Sequence, residues 1–171
     1  MFFYRTFTEY KDWHIMILSK HRRIIVDEID LGIINILKQN SRKSSSDISK
    51  KVNLSPPATL ERIRKLEDSG IIEQFTIKVN RNKFNYNILA FIFVSIDNTE
   101  AVAQFNSLVT NYPTVLECHQ VAGEYDYLLK VVAKDTKELE GFILNSKKKI
   151  IGVTRTNTIF TFSSIKENIN M

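Results

Sequence analysis

From Asp27 onward, apolar residues recur at helical spacing. Ile29, Ile33, Ile34, Ile36 and Leu37 predict an amphipathic helix ending near Asn40. Asp27, Glu28 and Asp30 fall in its first turn, where acids oppose the positive helix end. A polar connector, Ser41-Arg42-Lys43-Ser44-Ser45, leads to a second short helix over 47–52, which Ser45 or Ser46 can cap. Past the turn at Asn53-Leu54, a third helix is marked at both ends. Ser55 suits the cap, Pro56 the first helical position, and Gly70 the left-handed residue that ends it. Leu60, Ile63 and Leu66 predict its apolar face, leaving Ala58, Thr59, Arg62 and Lys65 pointing outward. Three short helices at these spacings predict a helix-turn-helix. Residues 71–79 then alternate (Ile72, Phe75, Ile77, Val79) as a strand does. With Arg81-Asn82-Lys83 at its end, this run can form the hairpin of a winged version.

Beyond an Asn- and aromatic-rich junction near Phe84, the pattern changes. Residues 89–96 are an almost continuous apolar strand, and 100–112 a helix with Val102, Phe105, Leu108 and Val109 on one face, stopped by Pro113. Strands follow over 115–121 and 127–133, separated by the turn Gly123-Glu124-Tyr125-Asp126. A second helix, from Thr136 to about Lys149, and a strand over 153–163 complete the series. Strand, helix, strand, strand, helix, strand is the split β-α-β unit of ferredoxin-like folds. Both helices then cover one face of the sheet. The other face, assigned to Ile92, Val94 and Phe160/Phe162, is too apolar for open water, and a second copy is the simple cover. The fold class is therefore α+β: a winged helix-turn-helix over 26–84, linker included, followed by a ferredoxin-like domain over 85–171.

Residues 1–25 match neither half. They mix Phe2, Phe3, Tyr4, Phe7, Tyr10 and Trp13 with scattered charge and no period. They can pack as an extra element or stay disordered. A start-site artefact is a further reading, because Val26-Asp27-Glu28 resembles a natural beginning.

Composition sharpens this outline at one point. The 171 residues carry a net charge of +5 and are 43% hydrophobic, as many soluble globular proteins are. The charge is unevenly placed, however. Residues 27–84 hold eleven bases against eight acids, whereas 85–171 hold eight against nine. The surplus lies with the helix-turn-helix, with another +3 in the N-terminal segment, and the asymmetry points to double-stranded DNA as the partner of the first half. The single cysteine, Cys118, excludes an intrachain disulfide and a Cys-based zinc site, and suits a reducing cytoplasm. His14, His21 and His119 show no metal-ligand spacing, and no apolar run approaches a membrane span. No metal and no cofactor is expected.

Two constellations together resemble one family. The first is Val26-Asp27-x-x-Asp30-x-x-Ile33-Ile34-x-x-Leu37, with Ser41-Arg42, Leu54-Ser55-Pro56 and Arg62-Ile63-x-x-Leu66-Glu67-x-x-Gly70-Ile71-Ile72. The second is Gly123-x-x-Asp126 followed by Val153-x-x-Thr156-x-Thr158. From Asp27 to about Lys166 the chain resembles the Lrp/AsnC family of prokaryotic transcription regulators. The resemblance implies a DNA-binding helix-turn-helix and a ferredoxin-like RAM domain that pairs into homodimers, which commonly assemble into octamers and bind amino-acid effectors. It implies a cytoplasmic, nucleoid-associated regulator and not an enzyme. It places Ser55, Ala58, Thr59, Arg62 and Lys65 on the DNA face, with Arg42, Lys43, Lys50 and Lys51 on phosphates. It assigns Gly123, Tyr125, Asp126, Thr156 and Thr158 to effector binding.

Each assignment has a plainer rival. Arg62 can pair with Asp30 or Glu67, Gly123 and Asp126 can simply build a turn, and Lys147-Lys148-Lys149 suits a solvated helix end. At the level of function, siroheme decarboxylase subunits share this build. His119 and Arg155 would be the residues offered to a tetrapyrrole, and they form no motif. A low-specificity architectural DNA binder is the third reading.

Overall fold

The computed structural model describes residues 16–19, 22–150 and 152–169; the first fifteen residues, and the side chains of Lys147, Lys148 and Lys149, lie outside that description. Within it, the chain divides into two compact units, one ending at Lys78 and one beginning at Val79.

The first unit opens with a short antiparallel hairpin, β1 (Met16–Ser19) paired with β2 (Arg22–Ile25). Three helices follow: α1 (Glu28–Gln39), α2 (Ser45–Val52) and α3 (Pro56–Asp68). Asp27 caps α1 in a reciprocal box. It accepts from the Asp30 amide at 2.8 Å while the Asp30 carboxylate accepts from the Asp27 amide at 3.3 Å. Ser44, one residue before the expected cap, closes the start of α2. Ile33, Leu37, Ile48, Ile63 and Leu66 bury the common core, with Ile71 and Ile72 packed against it.

The strand expected over 71–79 does not form. Residues 73–80 have no regular secondary structure, and Arg81–Phe84 is a short 3-10 turn where the hairpin end was expected. The alternation is present, but a strand needs a partner. Phe75, Ile77 and Val79 are instead 45%, 72% and 51% exposed.

The second unit is a four-stranded antiparallel sheet under two helices. Its elements are β3 (Ile88–Ile96), α4 (Thr99–Thr110), β4 (Val115–Gln120), β5 (Tyr127–Ala133), α5 (Thr136–Lys149) and β6 (Val153–Phe160). The strand order β4-β5-β3-β6 is that of the split β-α-β fold. Ala90, Ile92, Val94, Leu129 and Val131 meet Phe105, Leu139 and Phe142 in one core.

This reverses the faces read from the sequence. Ile92 and Val94 are 1% and 4% exposed beneath the helices, not on the uncovered side. Phe160 registers opposite Ala90 and so shares the helix side, while Phe162 lies past the strand, wholly exposed. The uncovered face carries Phe91 and Phe93 of β3, Leu128 and Lys130 of β5, and Ile159 of β6, since cross-strand neighbours share a face. A strand that is apolar at nearly every position, on both faces, gives no sign of which set faces in.

Gly152 closes this unit. Its φ is +125°, and an added Cβ would lie 2.5 Å from the Asn98 side chain and 2.6 Å from Ala101 Cβ. Gly152→Ala is expected to destabilise the unit by about 1–3 kcal/mol, from overpacking and backbone strain together. Chemical denaturation measures this, and an unchanged midpoint would refute it.

Candidate nucleic-acid interface

The α2–α3 corner is built by local chemistry. Asn53 takes the left-handed conformation, φ 54°, and ends α2. Two residues later Ser55 accepts from the Ala58 amide at 3.3 Å and starts α3, with prolines at its first two positions. At the far end Gly70, φ 74°, reverses the chain, and the Ile72 amide donates to the Leu66 carbonyl at 3.0 Å. The turn is thus fixed at both helix ends.

The side α3 turns inward is Thr59, Ile63 and Leu66. Thr59 was expected to point outward, but it is fully buried. Its hydroxyl donates to the Ser55 carbonyl at 3.1 Å, so burial leaves no polar atom unsatisfied. The inward strip therefore sits about one residue off the expected register. Leu60, expected in the core, is 40% exposed.

Arg62 also departs from its expected place. Its guanidinium donates to Asp27 at 2.7 Å and to Asp30 at 2.9 Å, joining α3 to the capping box of α1. The Asp30 pairing was the rival reading of this residue. Partial burial pushes the Asp27 carboxyl up, but the Asp30 amide and the Arg62 guanidinium outweigh it and hold the group below its ordinary 3.8. The same bonds, Asp27 first, raise the Arg62 value.

The remaining predicted DNA residues lie at the surface. Lys65 is exposed and pairs with Glu61 one turn earlier, at 2.8 Å. Ala58 is half-buried, and Ser55 is exposed but committed to capping. Arg42, Lys43, Lys50 and Lys51 are exposed around α2 and its approach. One cation that sequence reasoning passed over, Arg64, is exposed on α3; the turn-to-turn spacing from Leu60 was the signal that could have found it.

In the second unit the predicted effector residues do not converge. The Asp126 carboxylate accepts from the Ile96 amide at 2.8 Å and its own amide donates to the Val94 carbonyl, so it ties the turn to the end of β3. Tyr125 lies 5.3 Å from Phe93, with the Arg155 guanidinium 4.8 Å over its ring and paired with Glu124. Thr156 and Thr158 register opposite Val94 and Ile92, on the helix side of the sheet. None of the five lines the groove of about 770 Å³ between α4 and α5, which Gln104, Asn111 and Asn145 border. His119 neighbours Glu117, whose carboxyl Lys130 holds below its usual range despite partial burial. Among the described residues no group of His, Cys, Asp and Glu is arranged to hold a metal, and no helix is long and apolar enough to cross a membrane.

Residues 26–73 match the family model for winged helix-turn-helix DNA binding, and residues 89–171 that of the Lrp/AsnC ligand binding domain. The chain belongs to the Lrp/AsnC family. It is 36% identical over 147 residues to an HTH-type transcriptional regulator of Pyrococcus horikoshii, covering 85% of this chain and 98% of the relative. It is 32% identical over 145 residues to the leucine-responsive regulatory protein of Escherichia coli, covering 84% and 88%. Its fold is similar to that of a Neisseria meningitidis transcriptional regulator solved as an L-methionine complex. That match has TM-score 0.81 and 32% identity, over 85% of this chain and 95% of that one. As an Lrp/AsnC protein it is a DNA-binding transcription regulator, not an enzyme.

The Arg62 bridge yields a stability prediction. Arg62→Ala leaves two carboxylates facing each other at the α1 cap and should cost about 1–2 kcal/mol, solvent screening included. The Asp27 value is depressed in the fold, so its contribution is present above the ordinary carboxylate range. It fades as pH falls from about 5 through the lowered folded value. The substituted chain should therefore show a shallower loss of stability on acidification. Parallel acid titrations followed by circular dichroism would contradict this if the two slopes coincide.

Proposed function

We propose that this regulator binds specific DNA sites as a homodimer, with its ferredoxin-like unit sensing a small effector such as an amino acid. The observation that carries the reading is α3: capped at both ends, packed by one strip, and carrying cations on its exposed side in the electropositive half of the chain. A helix of this kind enters the major groove with its first turns against base edges. Ser55, Ala58 and Lys65 lie at or beside that contact, and Arg42, Lys43, Lys50 and Lys51 neutralise phosphates. Thr59 is too deeply buried to join them, and Arg62 is committed to Asp27 and Asp30.

Pairing is supported by the uncovered sheet face. Phe91, Phe93, Leu128 and Ile159 flank Lys130, with its Glu117 and Glu167 ion pairs, on that face, and Phe162 and Ile165 in the tail are 106% and 99% exposed. Apolar surface of this kind favours burial against a second copy. Two recognition helices would then read half-sites about 10 bp apart, or a multiple of that. Octamers would be the next level of assembly. Effector sensing is supported by the L-methionine bound to the similar Neisseria meningitidis protein. We assign it to the 123–126 turn, where Glu124 and Tyr125 adjoin Arg155 and Asp126 anchors the turn to β3; Thr156 and Thr158, on the other side of the sheet, are not part of it.

Footprinting across a salt series, with and without a panel of amino acids, tests the reading. Replacing Lys50 and Lys51 together with alanine should weaken binding to all duplexes alike and flatten the log–log salt slope by about two. An unchanged slope would remove both from the phosphate contact. Asp126→Ala should abolish any amino-acid response while the footprint persists; a retained response places the effector elsewhere. Footprints that ignore sequence would favour an architectural binder.

A further inference from the structure

Of the three cations on α3, two are already engaged. Arg62 is held by Asp27 and Asp30, and Lys65 by Glu61. Arg64 is exposed and pairs with no described residue. On a 3.6-residue helix, Leu60 lies one turn before Arg64 on the same flank, and this leucine is 40% exposed although its neighbours at 59, 63 and 66 are buried. The exposed surface of α3 thus carries an apolar side chain and an unpaired planar cation stacked one above the other.

We propose that Leu60 and Arg64 are the specificity-determining pair of this regulator. Arg64 donates both arms of its fork to the O6 and N7 of a guanine, and Leu60 packs on the methyl group of a nearby thymine in the same major groove. This rests on the DNA-binding reading of α3 above. The chemistry of each side chain selects its partner. Guanidinium is the side chain whose two parallel donors match the paired acceptors of guanine, and the thymine methyl is the apolar feature of the groove. An exposed leucine gains nothing from water, so a methyl contact is the one use of the groove open to it. Arg62 cannot serve the same purpose without leaving two carboxylates behind. It acts as a positioning residue, fixing the angle at which α3 is presented. The Glu61–Lys65 pair is exposed on both sides and breaks readily, so Lys65 supplies charge rather than choice of base.

The test begins with selection from a pool of random duplexes by the full-length wild-type chain. Affinities of wild type, Arg64→Ala, Arg64→Lys and Leu60→Ala are then measured on the selected site and on each of its single base-pair substitutions. Arg64→Ala should lose about 5- to 150-fold on the selected site and become indifferent at one G·C pair. Arg64→Lys should keep its affinity for unrelated duplexes, because the charge remains, yet hold the same preference more weakly, because an ammonium lacks the planar fork. Leu60→Ala should become indifferent at one T·A pair close by. Both positions are on the surface, so thermal unfolding should be nearly unchanged, which separates lost reading from lost folding. If Arg64→Ala ranks the substituted sites as wild type does, the assignment is wrong while the regulator reading stands. A wild-type chain that selects no site overturns both.

Discussion

One guanidinium sets the frame of the DNA-binding unit. Arg62 reaches from the middle of α3 to the two carboxylates that already cap α1. A cap fixes where a helix begins, and a bridge to that cap fixes where a second helix lies. Because Asp27 and Asp30 are each shared between a backbone amide and Arg62, neither can move without disturbing the other. The apolar core beneath holds the helices together, but apolar contact is tolerant of sliding. The bridge supplies the direction that the core lacks.

This accounts for the arrangement of the rest of α3. With Arg62 turned toward α1, the inward strip is Thr59, Ile63 and Leu66, and the opposite flank falls to Leu60 and Arg64. A threonine in the buried strip is compatible because its hydroxyl is satisfied within its own helix. The division of labour follows: one arginine orients, its near neighbour is free to touch a ligand. In the second unit Asp126 acts similarly, since it spends its carboxylate on a β3 amide and so anchors the turn beside Tyr125 and Arg155.

Most elements of the architecture could be read from the residues, because helix signals here are redundant. Cap, prolines, terminal glycine and period agree over α3, period and acidic first turn agree over α1, and α4 ends at Thr110, two residues short of the end expected ahead of Pro113. Finer facts depended on information that periodicity does not hold. Which flank of α3 faces in turned on a single threonine and on a charge pair more than thirty residues apart in sequence. Which side of β3 faces the helices could not be read from a strand apolar on both. Alternation over 71–79 is real, yet among the described residues no strand pairs with that stretch. The candidate effector residues rest on the family resemblance, and the folded sheet sets Thr156 and Thr158 on its helix side while Tyr125 packs beside Phe93 on the other.

The position of β3 also bears on how the molecule assembles in time. It is an interior strand of its sheet, yet both of its partners, β5 and β6, are made long after it. The Asp97 amide even waits for the carbonyl of Gly152. Closing such long loops costs entropy before any contact repays it, whereas the three helices of the first unit meet across short ones. On a growing chain the DNA-binding unit can therefore be complete while Phe91 and Phe93 still lack a sheet. The interval before α5 and β6 emerge is when this protein is most open to association with the wrong neighbour.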